Sequence, residues 1–147
     1  MEIQGHEGHT YMFLTSQTMI YREYARRVQF LFGILSVLLV AFISYESLIE
    51  VSDEPTIEHL DKLVHFGAYF LLGSLMLPAL RRIPPLIVFL GLVVFGAAIE
   101  IAQGTMGIGR SADILDACAN TAGALAAVLV WAYLSKLIAK PKQSITS

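Results

Sequence analysis

Apolar residues gather into four long blocks: Val28–Tyr45, Leu63–Leu80, Pro84–Gln103 and about Ala117–Ile138. Crossing a hydrocarbon core takes roughly 20 apolar helical residues, and each block is close to that length. The first, VQFLFGILSVLLVAFISY, carries no charge. Helices of a water-soluble bundle would keep a polar stripe along their whole length, and the middle of these blocks has none. Turn and charge signals bound them, namely Asp53-Glu54-Pro55, Arg81-Arg82-Ile83-Pro84-Pro85, and Gly104 through Gly109. The pattern predicts an all-α fold, a four-transmembrane-helix bundle. Residues 21–140 make the membrane domain, 1–20 a polar tail, disordered or lying before a later start at Met12 or Met19, and 141–147 a disordered tail.

Composition strengthens this reading. Of 147 residues, 56% are hydrophobic and 15% charged, against about 25% charged in soluble domains. The net charge of -2 supplies no basic face for nucleic acid. The single cysteine, Cys118, excludes an internal disulfide and a cysteine-based zinc site. It is expected to be an inert buried thiol.

Basic residues give an orientation. Arg22, Arg26 and Arg27 precede the first block, Arg81 and Arg82 join the second to the third, and Lys136, Lys140 and Lys142 follow the fourth. The other two connections hold only Lys62 and Arg110, and the first of them is acidic, with Glu46, Glu50, Asp53, Glu54, Glu58 and Asp61. The positive-inside rule then predicts N- and C-termini in the cytoplasm, with 46–62 and 104–113 outside. The long first block lacks an A-x-A cleavage site, so it reads as an uncleaved anchor. His6 and His9 lie in the mobile tail, which offers no fixed coordination geometry.

Polar groups inside the blocks are few and share one depth. Asp61, His65 and Tyr69 recur at spacings of four, with Lys62 beside them. Glu100 and Gln103 lie one turn apart, and Asp113, Asp116 and Asn120 follow at three and four, just after Arg110. Ionisable groups at membrane depth are costly and face the bundle interior or water. Three helices that contribute to one outer layer predict an outward-facing polar pocket. Gln103 and Asn120 also suit interhelical hydrogen bonds. Ala119, Gly123 and Ala127 form a small-residue row on the fourth helix, which makes it the expected central helix; Gly91 and Gly96 offer the same on the third. Trp131 and Tyr133 suit an interfacial belt.

The candidate catalytic residues are His65, Glu100 and Asp116, an imidazole and carboxylates suited to general acid–base work. The candidate ligand-binding residues are Asp61, Lys62, Tyr69, Gln103, Arg110, Asp113 and Asn120. His65 with Glu100 and Asp116 has ligand chemistry for a divalent ion, but one histidine without H-x-x-x-H or E-x-x-H spacing argues against it. Neither metal nor cofactor is expected. Gly104–Ser111 mimics a phosphate-binding P-loop with Arg110 for the lysine, yet it follows a membrane helix where a P-loop needs a strand.

The runs DKLVHFGAYFLLG (Asp61–Gly73), EIAQ (Glu100–Gln103) and GRSADILDACANTAG (Gly109–Gly123) resemble the VanZ-like family of small bacterial membrane proteins. Its pattern is D-K-x-x-H-F-x-x-Y, then E-x-x-Q, then R-x-x-D-x-x-D-x-x-x-N-T-x-G. The likeness covers roughly Arg22 to Lys140; Ala127 departs from it where members often carry a second glycine. The resemblance implies a multi-pass protein of the bacterial plasma (inner) membrane. It points to the cell envelope and to antibiotic resistance, since the family takes its name from a member associated with low-level teicoplanin resistance.

Two functions compete. The first is binding or remodelling of an envelope lipid or lipid-linked cell-wall precursor, with membrane lipids around it, no nucleic acid, and homo-oligomerisation left open. Lys62, His65 and Arg110 would meet an anionic head group, while Glu100, Asp113 and Asp116 orient hydroxyls or hold the cations in place. The alternative is a membrane-embedded hydrolase or transferase using His65 with Glu100 or Asp116. A proton relay ranks last, because the polar residues do not continue to the cytoplasmic side.

Overall fold

A computed structural model of the chain describes residues 5–49, 58–106 and 112–138. These form four helices: α1 (Gly5–Leu48), α2 (Glu58–Ala79), α3 (Pro85–Met106) and α4 (Ile114–Ile138), with no strand among the described residues. Each contains a segment long and apolar enough to span a membrane, with α1 contributing Met19–Leu48. At about 1.5 Å per residue, the 22 residues of α2 or of α3 reach roughly 33 Å, enough for a hydrocarbon core of about 30 Å. Helix α1 begins well before the first apolar block and takes in residues that the hydropathy pattern leaves outside it. Side chains are described from Met19 and from Leu60 onward in α1 and α2, so His6 and His9 lie outside them, as does the 141–147 tail.

The perimeter is apolar. Phe30, Val37, Leu38, Phe42, Val64, Leu86, Val94 and Leu129 are exposed, whereas the buried core is small and includes Tyr69, Leu72, Leu77, Leu92, Ala124 and Ala127. This inversion suits lipid, where backbone and hydroxyl groups must be satisfied internally. Ser36, Ser74 and Thr121 accordingly donate to carbonyls one turn back, those of Phe32, Phe70 and Ala117. A tight turn joins α2 to α3, with the Ile83 amide on the Leu80 carbonyl at 2.7 Å. Pro85 opens α3, where a missing N–H costs nothing.

Helices α2 and α3 each touch the other three, with the most extensive contact between α2 and α4, while α1 and α4 do not meet among the described residues. The expectation of a central α4 is corrected. The small-residue row on α4 does pack, but against one neighbour. A Cβ at Gly123 would overlap the Phe66 carbonyl oxygen and lie 3.0 Å from the Phe70 nitrogen; one at Gly73 would lie 2.8 Å from the Ala127 methyl. On α3, Gly96 fits against the Tyr69 ring, whereas Gly91 faces open space and has no packing role. Cys118 is exposed on the apolar perimeter, which corrects the buried thiol. The small neighbours at Ala117 and Ala119 do not cover it, because the packed face of α4 runs through Asp116, Asn120, Gly123 and Ala127.

A side chain at Gly123 must push α2 and α4 apart at the backbone. Gly123→Val should therefore destabilise the detergent-solubilised protein by about 3 kcal/mol, the upper end of overpacking costs. Leu129→Phe, at a site 61% exposed, should stay within about 0.5 kcal/mol. Loss of helicity on titration with a denaturing detergent measures both.

Candidate functional site

The N-terminal end of α2, the C-terminal end of α3 and the N-terminal end of α4 meet at one end of the bundle. The centre of this layer is Lys62. Its ammonium donates to Asp113 Oδ2 at 2.6 Å, to Asp116 Oδ1, and at 3.4 Å to Asp61 Oδ2. Lys62 is 24% exposed at its side chain and Asp116 12%, so the ion pairs are shielded without being sealed from solvent. The expectation that Lys62 meets an anionic head group is revised in one respect: its donors are already directed at three carboxylates.

Asp113 does more than supply charge. It stands just before α4 and caps it: Oδ1 accepts the Leu115 amide at 2.8 Å, and its carbonyl accepts the Asp116 and Ala117 amides. Its own N–H donates to Glu100 Oε2 at 3.0 Å. A carboxylate three residues into the same helix commonly closes such a cap; here Glu100 performs the task from α3. Because Lys62 and the Leu115 amide both favour its charged form, Asp113 titrates below the ordinary aspartate value of 3.8.

His65 faces α4 as well. Its Nδ1 lies 3.1 Å from Asn120 Oδ1, and since that oxygen only accepts, Nδ1–H is the donor. On the far side of the ring, Nε2 stands 3.7 Å from Asp61 Oδ1 and 3.6 Å from Asp116 Oδ2. Asn120 is buried, so it orients the ring from within the protein.

Two other expected residues, Tyr69 and Gln103, make no hydrogen bond to the cluster. Tyr69 is buried with its hydroxyl against Gly96 and unpartnered, and it shares a cavity wall with Asp61, His65 and Asn120. Gln103 turns away from the cluster and donates to the Ser47 carbonyl of α1 at 3.0 Å. Arg110 lies outside the described residues. Glu100 joins the layer through the Asp113 amide, leaving its Oε1 buried and unpartnered.

Beside the cluster lies a cavity of about 270 Å³, where α1 and α4 fail to meet. Asp61, His65, Asn120 and Glu46 give it a polar end; Phe42, Ile43, Val64 and Ala68 give it an apolar wall. Phe42 and Val64 are 59% and 61% exposed, so this wall continues onto the lipid-facing perimeter. The α1 contribution, Glu46 and Ser47 included, was hidden in the sequence because only helix packing brings this stretch of α1 to the cavity. A larger cavity of about 720 Å³ occupies the opposite end, lined by Arg22, Arg26, Arg81 and Arg82 with Tyr21 and Glu23.

Fold and site define a small multi-pass α-helical membrane protein with carboxylates and an imidazole gathered at one end of its bundle. The chain belongs to the VanZ/LLP1 family, which it matches over residues 9–136. No curated protein and no solved structure matches it.

Removing Lys62 leaves its aspartates facing one another. Lys62→Met should cost about 2 kcal/mol, less than the 3–5 of a fully buried pair because the site stays partly wet. Asp116→Asn in that background should recover part of the loss, as read by a double-mutant cycle in detergent. The depressed titration of Asp113 fixes a sign. Its stabilisation is complete above 3.8 and is lost as pH falls through the lower folded-state value. Asp113→Asn should flatten the stability curve below about pH 4 and leave its slope near neutrality unchanged.

Proposed function

We propose that this protein binds or remodels the head group of an envelope lipid or lipid-linked cell-wall precursor, in envelope homeostasis or glycopeptide tolerance. The observation that carries this reading is the amphiphilic cavity between α1, α2 and α4, with its polar end at Asp61, His65 and Asn120 and its apolar wall at Phe42 and Val64. A lipid entering sideways would keep its chains against the perimeter while its head group reached the carboxylates and imidazole. The charge distribution supports an outward-facing site, since Arg22, Arg26, Arg27, Arg81, Arg82 and Lys136 all lie away from it. On that orientation both termini are cytoplasmic, in a bacterial plasma membrane.

A second reading, a membrane hydrolase or transferase, is favoured by one feature. His65 is oriented by Asn120 and presents Nε2 towards Asp61 and Asp116, an arrangement suited to proton transfer. Glu100 is less suited to that reaction, because one of its oxygens is committed to the Asp113 amide.

The test is lipid retention. Protein in nanodiscs of phosphatidylethanolamine and phosphatidylglycerol, doped with a polyprenyl phosphate, should retain the doped lipid in native mass spectrometry. Val64→Trp, which fills the cavity mouth, should reduce retention roughly tenfold, about 1.4 kcal/mol, with the fold intact. Equal retention by both proteins would defeat the head-group reading, and release of inorganic phosphate would favour the enzyme.

A further inference from the structure

We propose that Asp61, His65 and Asp116 form a divalent-cation site, suited to ions of the Mn²⁺ and Zn²⁺ class, at the polar end of the α1–α4 cavity. One ligand atom from each residue lies within 4.8 Å of the others. The imidazole Nε2 is 3.7 Å from Asp61 Oδ1 and 3.6 Å from Asp116 Oδ2. Both separations exceed the ~2.7–3.2 Å of an N–H···O hydrogen bond. They fit atoms arranged around a shared ion at about 2.0–2.2 Å from each.

Three independent features prepare these atoms. The two aspartates divide their oxygens: Asp61 Oδ2 and Asp116 Oδ1 face Lys62, while Asp61 Oδ1 and Asp116 Oδ2 face the imidazole. Lys62 therefore orients the ligands without occupying the gap. Asn120 accepts the Nδ1 proton of His65, so Nε2 can present its lone pair, the second-sphere arrangement that metal-bound histidines commonly have. Among the described residues the charge balance favours a cation, because the one ammonium of Lys62 faces Asp61, Asp113 and Asp116 together, with Glu100 beside them.

The ligand chemistry narrows the ion. An imidazole disfavours Mg²⁺ and Ca²⁺ and suits first-row transition ions, while two carboxylates keep Mn²⁺ alongside Zn²⁺. Asp61 and His65 also line the cavity, so water or an anionic oxygen can complete the coordination sphere. The site does not depend on the head-group reading, and its test needs no lipid substrate.

The experiment uses the full chain in detergent, with His6, His9 and His59 replaced by Gln so that only His65 remains among the imidazoles. After chelator stripping and dialysis, calorimetric titration with MnCl₂ and ZnCl₂ should give one saturable ion per chain. Asp61→Asn and Asp116→Asn should abolish it, and Asn120→Leu should weaken it by about 10–100-fold. Size-exclusion elution and helicity identify variants that remain folded. X-ray absorption of the zinc-loaded parent supplies a readout independent of the variants, with one imidazole nitrogen and oxygens at about 2.0–2.1 Å and no sulfur. Absence of a saturable ion, binding unchanged in both folded aspartate variants, or a sulfur-bearing shell would overturn the proposal.

Discussion

The backbone contact between α2 and α4 governs the rest of the structure. Lipid provides no hydrophobic force to drive two apolar helices together, so close approach and internal polar bonds must do it. Gly123 against Phe66 and Gly73 against Ala127 bring the helices nearer than any larger residue would permit. The two helices run in the same direction at a nearly constant offset: Lys62 meets Asp116 and His65 meets Asn120, at separations of 54 and 55 residues. Gly73 and Ala127 keep that offset several turns further along. A single close seam thus fixes the register of the whole polar layer. Slipping α4 by one residue would turn Asp116 and Asn120 away from α2 by about 100°.

Electrostatics then bind that seam to α3. Charges at membrane depth persist only when paired or hydrated, and the layer meets this condition through shared use of a few groups. Asp113 caps α4 with one carboxylate oxygen, takes Lys62 with the other, and gives its amide to Glu100. Three helices meet in one residue. Among the described residues the same economy leaves a surplus of negative charge around a single ammonium, an arrangement that is stable only with water, protons or a further cation nearby. The cavity beside His65 supplies access for each of these.

The four-helix architecture was legible because apolar blocks of spanning length leave few alternatives, and the polar residues were legible because each is expensive where it stands. Asp61, Lys62, His65, Asp113, Asp116 and Asn120 indeed converge at one end of the bundle. Pairing was harder to read. Helical spacing shows which residues share a face but not which helix that face meets. The small row on α4 therefore suggested a central helix, although it serves only the α2 seam. Asp113 carried a helix-start signal, an aspartate before an apolar run, which its place on the acidic stripe obscured. Gln103 lies one turn from Glu100 in sequence yet turns to α1, while Tyr69 stays in the cavity wall beside His65 with its hydroxyl against α3. Nothing in the sequence marks Ser47, whose carbonyl receives Gln103.

The contrast between the seam and α1 explains why the cavity lies where it does. Among its described residues helix α1 has no close-packed glycine contact with a neighbour, since Gly33 faces open space. Among the described residues, side-chain amides tie it to its neighbours near both ends: Gln29 donates to the Ala79 carbonyl at 2.6 Å, and Gln103 donates to that of Ser47 at 3.0 Å. Between those ties it packs through larger side chains such as Leu39, Val40 and Ile43. A helix held by side chains stands further from its neighbours than one held at the backbone, and the space it leaves opens beside the most polar part of α2. The close α2–α4 contact builds the charged layer, and the wider α1 contact gives that layer a way out to the lipid.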